Sequence, residues 1–390
     1  MRTIDTMSDK KYLVTGTPHI RDKASISGIM LDVIIALVPA TLAGVFFFGA
    51  DAALVVVVSI AAAVFFEWAF KRVTKKDCTI RDLSAVVTGL LLALNLPATV
   101  PLWLPIVGAF FAIIVAKELF GGLGQNFINP ALVGRIFLVA AYPVLMLNIP
   151  QPVRTIGAGL FPNADVSTAA TPLAAAAATA ATTAATTTAT TAATTAATTA
   201  ATGVTAATDV VTAATSDAIT GATPLSLVAW TDMVPLAGDY FDAFIGNMPG
   251  MIGETSAAAL LLGGLYLIAR KVISWRIPVI YIASLALLTF VFGRQGMFTG
   301  LWLYEVLLGG LMIGAFFMAT DYSSSPVTPR GQIIMGLGCG VLTFAIRHYG
   351  GYPEGVAFAI LLMNLFVPLI DKYTRPRVYG VTKVKKGAKA

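Results

Sequence analysis

Of the chain's 390 residues, 57% are apolar and only 12% are charged, and the mean hydropathy is +0.82. Soluble domains carry about 25% charged residues, so a water-soluble globule is excluded and an integral membrane protein is expected. The net charge of +6 then speaks to which side of a bilayer the basic residues occupy, not to nucleic acid. Two cysteines, Cys78 and Cys339, make neither a disulfide framework nor a CxxC pair, and two histidines, His19 and His348, cannot supply a multi-histidine zinc or haem site.

In chain order, a polar segment (1–27) without a signal-peptide core precedes ten apolar stretches. The first five fall at 28–48, 52–70, 83–96, 102–119 and 131–147, and the second five at 256–273, 277–293, 301–319, 332–346 and 354–370. Several are long enough to span a bilayer, whereas 83–96 would make a helix of about 21 Å, short of the ~30 Å hydrocarbon core. It is expected to be a half-helix lining a protein-enclosed cavity. The two sets bound a first repeat (28–147) and a second (254–371), followed by a basic tail (372–390). Five spans per half require the second half to enter the membrane in the opposite sense, the geometry of inverted-repeat transport folds. A weak internal echo supports this: Phe120-Gly121-Gly122 recurs as Tyr349-Gly350-Gly351 before the last span of each half.

With the N-terminus inside, 23 of the 26 basic residues fall on the inner side, and only Arg154, Arg294 and Arg347 outside. This places both termini in the cytoplasm of a prokaryotic cell, by the positive-inside bias. The long segment 148–253 then lies outside. Its tract 164–215 holds 23 alanines and 19 threonines in 52 residues, and reads as a spacer with nothing to pack. Alanine there inflates the apolar count without driving burial.

Just past the tract, Asp217-Ala-Ile-Thr220-Gly221-Ala222-Thr223 matches the D-x-x-[ST]-G-A-[ST] signal in which the last hydroxyl takes FMN through a phosphoester bond. Gly221 can adopt a positive φ and Ala222 leaves room for the incoming dinucleotide and a flavin transferase. Two imitations share the spacing, ending at Thr171 and at Thr215, but only the copy ending at Thr223 contains the glycine. Covalent FMN is therefore expected on Thr223, with Asp217, Thr220, Gly221 and Ala222 framing it.

The run from Lys117 to Arg135 (KELFGGLGQNFINPALVGR), the Thr-Gly-Ala-Thr motif, Ala319-Thr-Asp-Tyr-Ser-Ser-Ser-Pro326 and Tyr352-Pro-Glu-Gly-Val-Ala-Phe-Ala-Ile-Leu-Leu-Met-Asn364 resemble the RnfD/NqrB family. The Thr-Pro-His-Ile start (17–20) and the Pro-Leu-Ile-Asp end (368–371) are nearer its RnfD branch. The resemblance covers nearly the whole chain except the Ala/Thr insertion. It implies an all-α polytopic membrane protein of ten transmembrane helices in two inverted five-helix repeats, like those of urea transporters. It also implies a core subunit of an ion-pumping ferredoxin:NAD oxidoreductase (Rnf) complex, with the other Rnf subunits as partners, covalent FMN and a bound riboflavin. The NAD and ferredoxin sites belong on those partners, since no Gly-rich dinucleotide fingerprint occurs here.

Asn126 and Asn129, three residues apart, would share a helical face from which two amides could bond an isoalloxazine edge. Asn129-Pro130 is also a good helix-cap pair; with the resemblance, both asparagines are expected to contact riboflavin. Acids at membrane depth are candidate functional groups. Asp82 and Asp321 match acidic positions near the family's ion path, against the plainer reading of interfacial acids paired with Arg81 and Arg330. Glu67, Asp32, Glu118, Glu305 and Glu354 also lie in or near spans, while Lys117 and Arg135 read as helix-end residues snorkelling to the interface. The coupling ion, Na⁺ or H⁺, stays open. A solute transporter or channel of the same inverted-repeat fold without redox activity is the alternative.

Overall fold

The computed structural model describes residues 25–76, 79–150, 152–153, 237–293, 298, 301–350 and 354–375. The flavinylation motif, from Asp217 to Thr223, lies outside the described residues. Every regular element among the described residues is helical: α1 (Ile26–Phe48), α2 (Ala50–Thr74), α3 (Ser84–Leu94), α4 (Trp103–Phe110), α5 (Pro130–Ala141), α6 (Pro143–Leu147), α7 (Ala237–Ile245), α8 (Ala257–Ala269), α9 (Arg276–Val291), α10 (Trp302–Leu307), α11 (Leu311–Ile313), α12 (Pro329–Tyr349) and α13 (Val356–Thr374). A 3₁₀ turn (Ile80–Asp82) precedes α3, and π-helical segments extend α4 (Phe111–Glu118) and α11 (Gly314–Met318).

Local chemistry sets the helix ends. The Ser25, Ser256 and Thr328 side chains accept from the backbone N–H of Gly28, Ala259 and Gly331, capping α1, α8 and α12. Pro329 sits in the first turn of α12, where its missing N–H removes no helical bond. Gly49, at φ 76°, joins α1 to α2 through a single residue.

Among the described residues, four helices (α1, α2, α12 and α13) are long and apolar enough to cross a bilayer. Their outward faces are apolar. On α1, Leu31, Ile35, Val38, Leu42 and Phe46 recur at helical spacing and are 43–64% exposed. Ala36, Leu37, Ala40, Gly44 and Phe47 face inward. A continuous exposed apolar stripe of this kind is a lipid-facing surface, not a soluble one. Interior contacts use small residues. A Cβ built on Gly263 of α8 would lie 2.0 Å from the Ala36 carbonyl oxygen of α1, so only glycine permits this approach. Elsewhere α3 packs on α2, where Ser59 Oγ donates to the Gly89 carbonyl at 2.8 Å, and α12 packs on α9, where the Tyr281 and Thr343 hydroxyls meet at 2.6 Å.

The other helices are shorter, and some stretches are broken. α3 has 11 residues, about 16 Å of helix at 1.5 Å per residue, and stops inside the bundle. Its exposed carbonyls are satisfied from another part of the chain: Gly253 N–H donates to Leu94 O at 2.8 Å and Ile252 N–H to Leu96 O at 3.1 Å. That arrangement meets the requirement that irregular backbone in a membrane be sealed by protein. The stretch 301–319 is interrupted between α10 and α11, with Gly309 at φ 71°. The sequence places residues 237–253 in an external loop. Here the structure differs: α7 packs on α8 and α10, and Met251, Ile252 and Glu254 are buried in the bundle, because the end of α3 needs backbone donors there.

Candidate functional site: a cavity at one end of the bundle

One end of the bundle gathers the start of α1, the α2–α3 connection, the segment after α4, the α8–α9 connection and residues 316–323. A cavity opens there between the two halves of the chain. Its walls are mostly apolar: Ile29, Met30 and Val33 from α1, Val87 and Leu91 from α3, and Phe316 and Phe317 from the π segment after α11. Its polar lining comes from Ser84, Thr88, Lys117, Asn126, Asn129, Thr320 and Asp321. Both π-helical segments thus contribute. Such segments shift the register of side chains within a helix and are frequent at functional sites.

The glycine-rich turn after α4 explains how the asparagines arrive. Gly121, Gly122 and Gly124 have φ of 117°, 95° and 85°, a region L-residues rarely enter. The chain therefore folds back over the end of α4 and delivers Leu123 and Asn126 to the cavity. Asn126 is buried; its Nδ2 donates to Ile128 O at 3.1 Å, and among the described residues its Oδ1 has no hydrogen-bond partner. Asn129 is occupied at both ends. Its Oδ1 accepts from Ala131 N–H at 3.0 Å, capping α5, and its Nδ2 donates to Met318 O at 3.3 Å across the two halves. Of the two asparagines, Asn126 has the polar atom left over for a ligand.

Lys117, read from sequence as snorkelling to the interface, is instead buried, and this is a correction with a clear cause. Its Nζ donates to Glu67 Oε2 at 2.8 Å and to Ser84 Oγ at 2.7 Å, and Glu67 Oε1 accepts from Thr79 Oγ1 at 2.6 Å. Glu67 is fully buried, so the ammonium is needed inside rather than at the lipid surface. Beside it Lys71 pairs with the buried Glu118 at 3.2 Å. Arg135 also points inward, bonding Asn95, Glu254 and Glu354. Asp32 meets Arg270 at 3.2 Å and accepts from the Tyr266 hydroxyl at 3.0 Å.

Asp321 lines the cavity and is half-buried. Among the described residues it pairs with no arginine; it accepts from Ser323 Oγ at 3.0 Å and Ser324 Oγ at 3.2 Å. Desolvation pushes its carboxyl above the usual aspartate range, and the serine hydroxyls oppose that shift. Asp82 ends the 3₁₀ turn ahead of α3, half-buried, and is not part of the cavity wall. The structure therefore brings Asn126, Asn129 and Asp321 together, leaves Asp82 aside, and adds Lys117, Glu67 and Ser84.

An apolar slot with two phenylalanines, an unpartnered amide oxygen and a nearby ammonium suits a planar heteroaromatic ring that presents an N–H along one edge. These features define a polytopic α-helical membrane protein with polar sites held between two halves. The chain matches the NQR2, RnfD, RnfE family model over residues 13–380, and it belongs to that family. It is 43% identical to the D subunit of the Na⁺-translocating ferredoxin:NAD⁺ oxidoreductase complex of Acetobacterium woodii, over 98% of this chain and all of the relative. It is 40% identical to the D subunit of the proton-translocating ferredoxin:NAD⁺ oxidoreductase complex of Clostridium ljungdahlii, over 95% of this chain and 97% of the relative. A third relative, the D subunit of the ion-translocating oxidoreductase complex of Halorhodospira halophila, is 36% identical over 95% of this chain and 96% of its own length.

Proposed function

We propose that the chain is the D-type membrane subunit of an ion-translocating ferredoxin:NAD⁺ oxidoreductase complex and carries electrons through flavins, with the other subunits of that complex as partners. Full-length identity to subunits of that name supports the complex. The observation that carries the flavin reading is the cavity, where the buried Asn126 Oδ1 lacks a donor among the described residues. When bound, riboflavin supplies one- and two-electron redox chemistry, and the protein supplies position and electrostatics. Asn126 would accept from the ring edge, Phe316 and Phe317 would supply apolar wall, and the Lys117 ammonium, shared with Glu67 and Ser84, would add a polar group to that wall. Asn129 would act at one remove, by fixing the start of α5 and tying it to Met318.

FMN would be held by phosphoester to Thr223, after maturation by a flavin transferase; support comes from the Asp217–Thr223 motif and the family. Ten spans in two inverted repeats are supported by packing that recurs in both halves, α2 on α4 and α9 on α12, with α1 meeting α8 across the centre. The basic-residue split supports cytoplasmic termini, which would put the riboflavin cavity on the inner side of the prokaryotic cytoplasmic membrane and Thr223 outside. Asp321, on the cavity wall, is the better candidate for a charge-compensating ion site than Asp82. The relatives' names include both Na⁺ and protons as the translocated ion.

Acid-denaturing the purified complex and quantifying released riboflavin tests the cavity. Wild type should release about one riboflavin per chain and Asn126→Leu far less, with the subunits still assembled. Equal release from both refutes this site.

A further inference from the structure

Inside the bundle, where α3 ends, Arg135 reaches out from α5 into a pocket walled by distant parts of the chain. Its Nη1 donates to Asn95 Oδ1 at 2.6 Å and to Glu254 Oε1 at 3.0 Å, and its Nη2 donates to Glu354 Oε2. Asn95 closes α3, Glu254 lies ahead of α8, and Glu354 lies ahead of α13. One guanidinium therefore answers two carboxyls. With both ionised, the group would hold a net negative charge away from water, which is strongly unfavourable when nothing compensates it. Carboxyls sharing one site resolve this by keeping a proton on one of them.

The geometry says which one. The Glu254 side chain is 2% exposed and that of Glu354 15%, so Glu354 retains more solvation. Among the described residues no hydrogen-bond donor reaches the buried Glu254 Oε2. An ionised carboxylate would leave half its charge on that bare oxygen. The charged groups that meet Glu254 among the described residues are Arg135 and Glu354; Leu94 and Gly310, which press on this corner from α3 and the α10–α11 break, are uncharged. A Cβ on Gly310 would lie 2.5 Å from Glu254 Oε1. A hydrated metal cation has no room on that side, and a neighbouring guanidinium repels one; a proton has neither difficulty.

We infer that Glu254 is a proton-binding site, protonated at neutral pH while Arg135 is shared with Glu354. Asn95 and Arg135 come from the first half, Glu254 and Glu354 from the second, so the site reports how the halves meet. If Glu354 withdraws with the start of α13, the guanidinium is left to Glu254 alone, favours its ionised form, and one proton leaves. Return of Glu354 restores it. This assignment stands apart from the flavin reading and does not require it.

Infrared pH-difference spectra of the purified complex test it. Wild type should show a protonated-carboxyl C=O band at neutral pH that is missing in Glu254→Gln. In Glu354→Gln the same band should titrate away at least about one pH unit lower, because the guanidinium is no longer shared. Glutamine mimics the neutral acid in size and polarity, so Glu254→Gln should assemble as wild type does. Failure of that variant to assemble, or a wild-type spectrum unchanged by it, overturns the assignment.

Discussion

Replacing Lys117 with methionine keeps most of the side-chain volume and removes the charge that answers Glu67. Glu67 is fully buried, and its remaining partner is the Thr79 hydroxyl at 2.6 Å. Removing one member of a buried pair costs about 3–5 kcal/mol, because the other charge is left without compensation. The hydroxyl to carboxylate bond, of about 1.5–3 kcal/mol, survives the change and holds the loss towards the lower end, about 3 kcal/mol. Adding Glu67→Leu removes the stranded charge and should return the protein to within about 1 kcal/mol of wild type, as apolar replacements of buried pairs do. Reversible unfolding in mixed micelles, run as a double-mutant cycle, reads the coupling directly. Additive single losses, with no recovery in the double variant, would refute the view that this pair is a mutually dependent unit beside the cavity.

Three further outcomes follow from the same geometry. Asn129→Ala removes the α5 cap and the bond to Met318, and should lower stability by about 1–2 kcal/mol, whereas Asn126→Leu, which loses one local bond, should chiefly lower riboflavin content; both are read by unfolding and flavin extraction. Gly263→Val sets a branched side chain against the Ala36 carbonyl, 2.0 Å from the first added carbon, and should abolish accumulation of the folded chain in membranes. Asp321 has a raised carboxyl pKa in the fold, so the fold favours its protonated form. Its contribution is present below the ordinary aspartate value of about 4 and is lost as pH rises from there through the raised value. Asp321→Asn should therefore flatten the pH dependence of thermal stability over that window and leave the variant no less stable than wild type at neutral pH.

What sequence shows here depends on how local its cause is. The apolar runs of α1, α2, α12 and α13 were legible because lipid demands about 20 apolar residues in a row. Asn129-Pro130 was legible as a cap because both partners lie within two residues of each other. The shortness of α3 also showed in the sequence, but the residues that seal its end, 252 and 253, lie far along the chain and inside a segment that reads as loop. Lys117 and Arg135 were misread for the same reason. Their partners stand 50, 119 and 219 positions away, and a lone basic residue near a helix end looks like an interfacial one until those partners are known. The cavity is assembled from both halves of the chain, so composition names its asparagines without saying that Asn129 is already satisfied and Asn126 is not.

Whether this chain carries electrons on flavin is tested most directly on a denaturing gel. Protein made in cells that possess the flavin transferase should give a band that fluoresces under ultraviolet light, because a phosphoester to Thr223 would survive unfolding. Thr223→Ala should be dark, and Thr171→Ala should stay bright. A dark wild-type band would contradict covalent flavin on this chain, and a bright Thr223→Ala band would contradict the residue assigned to hold it.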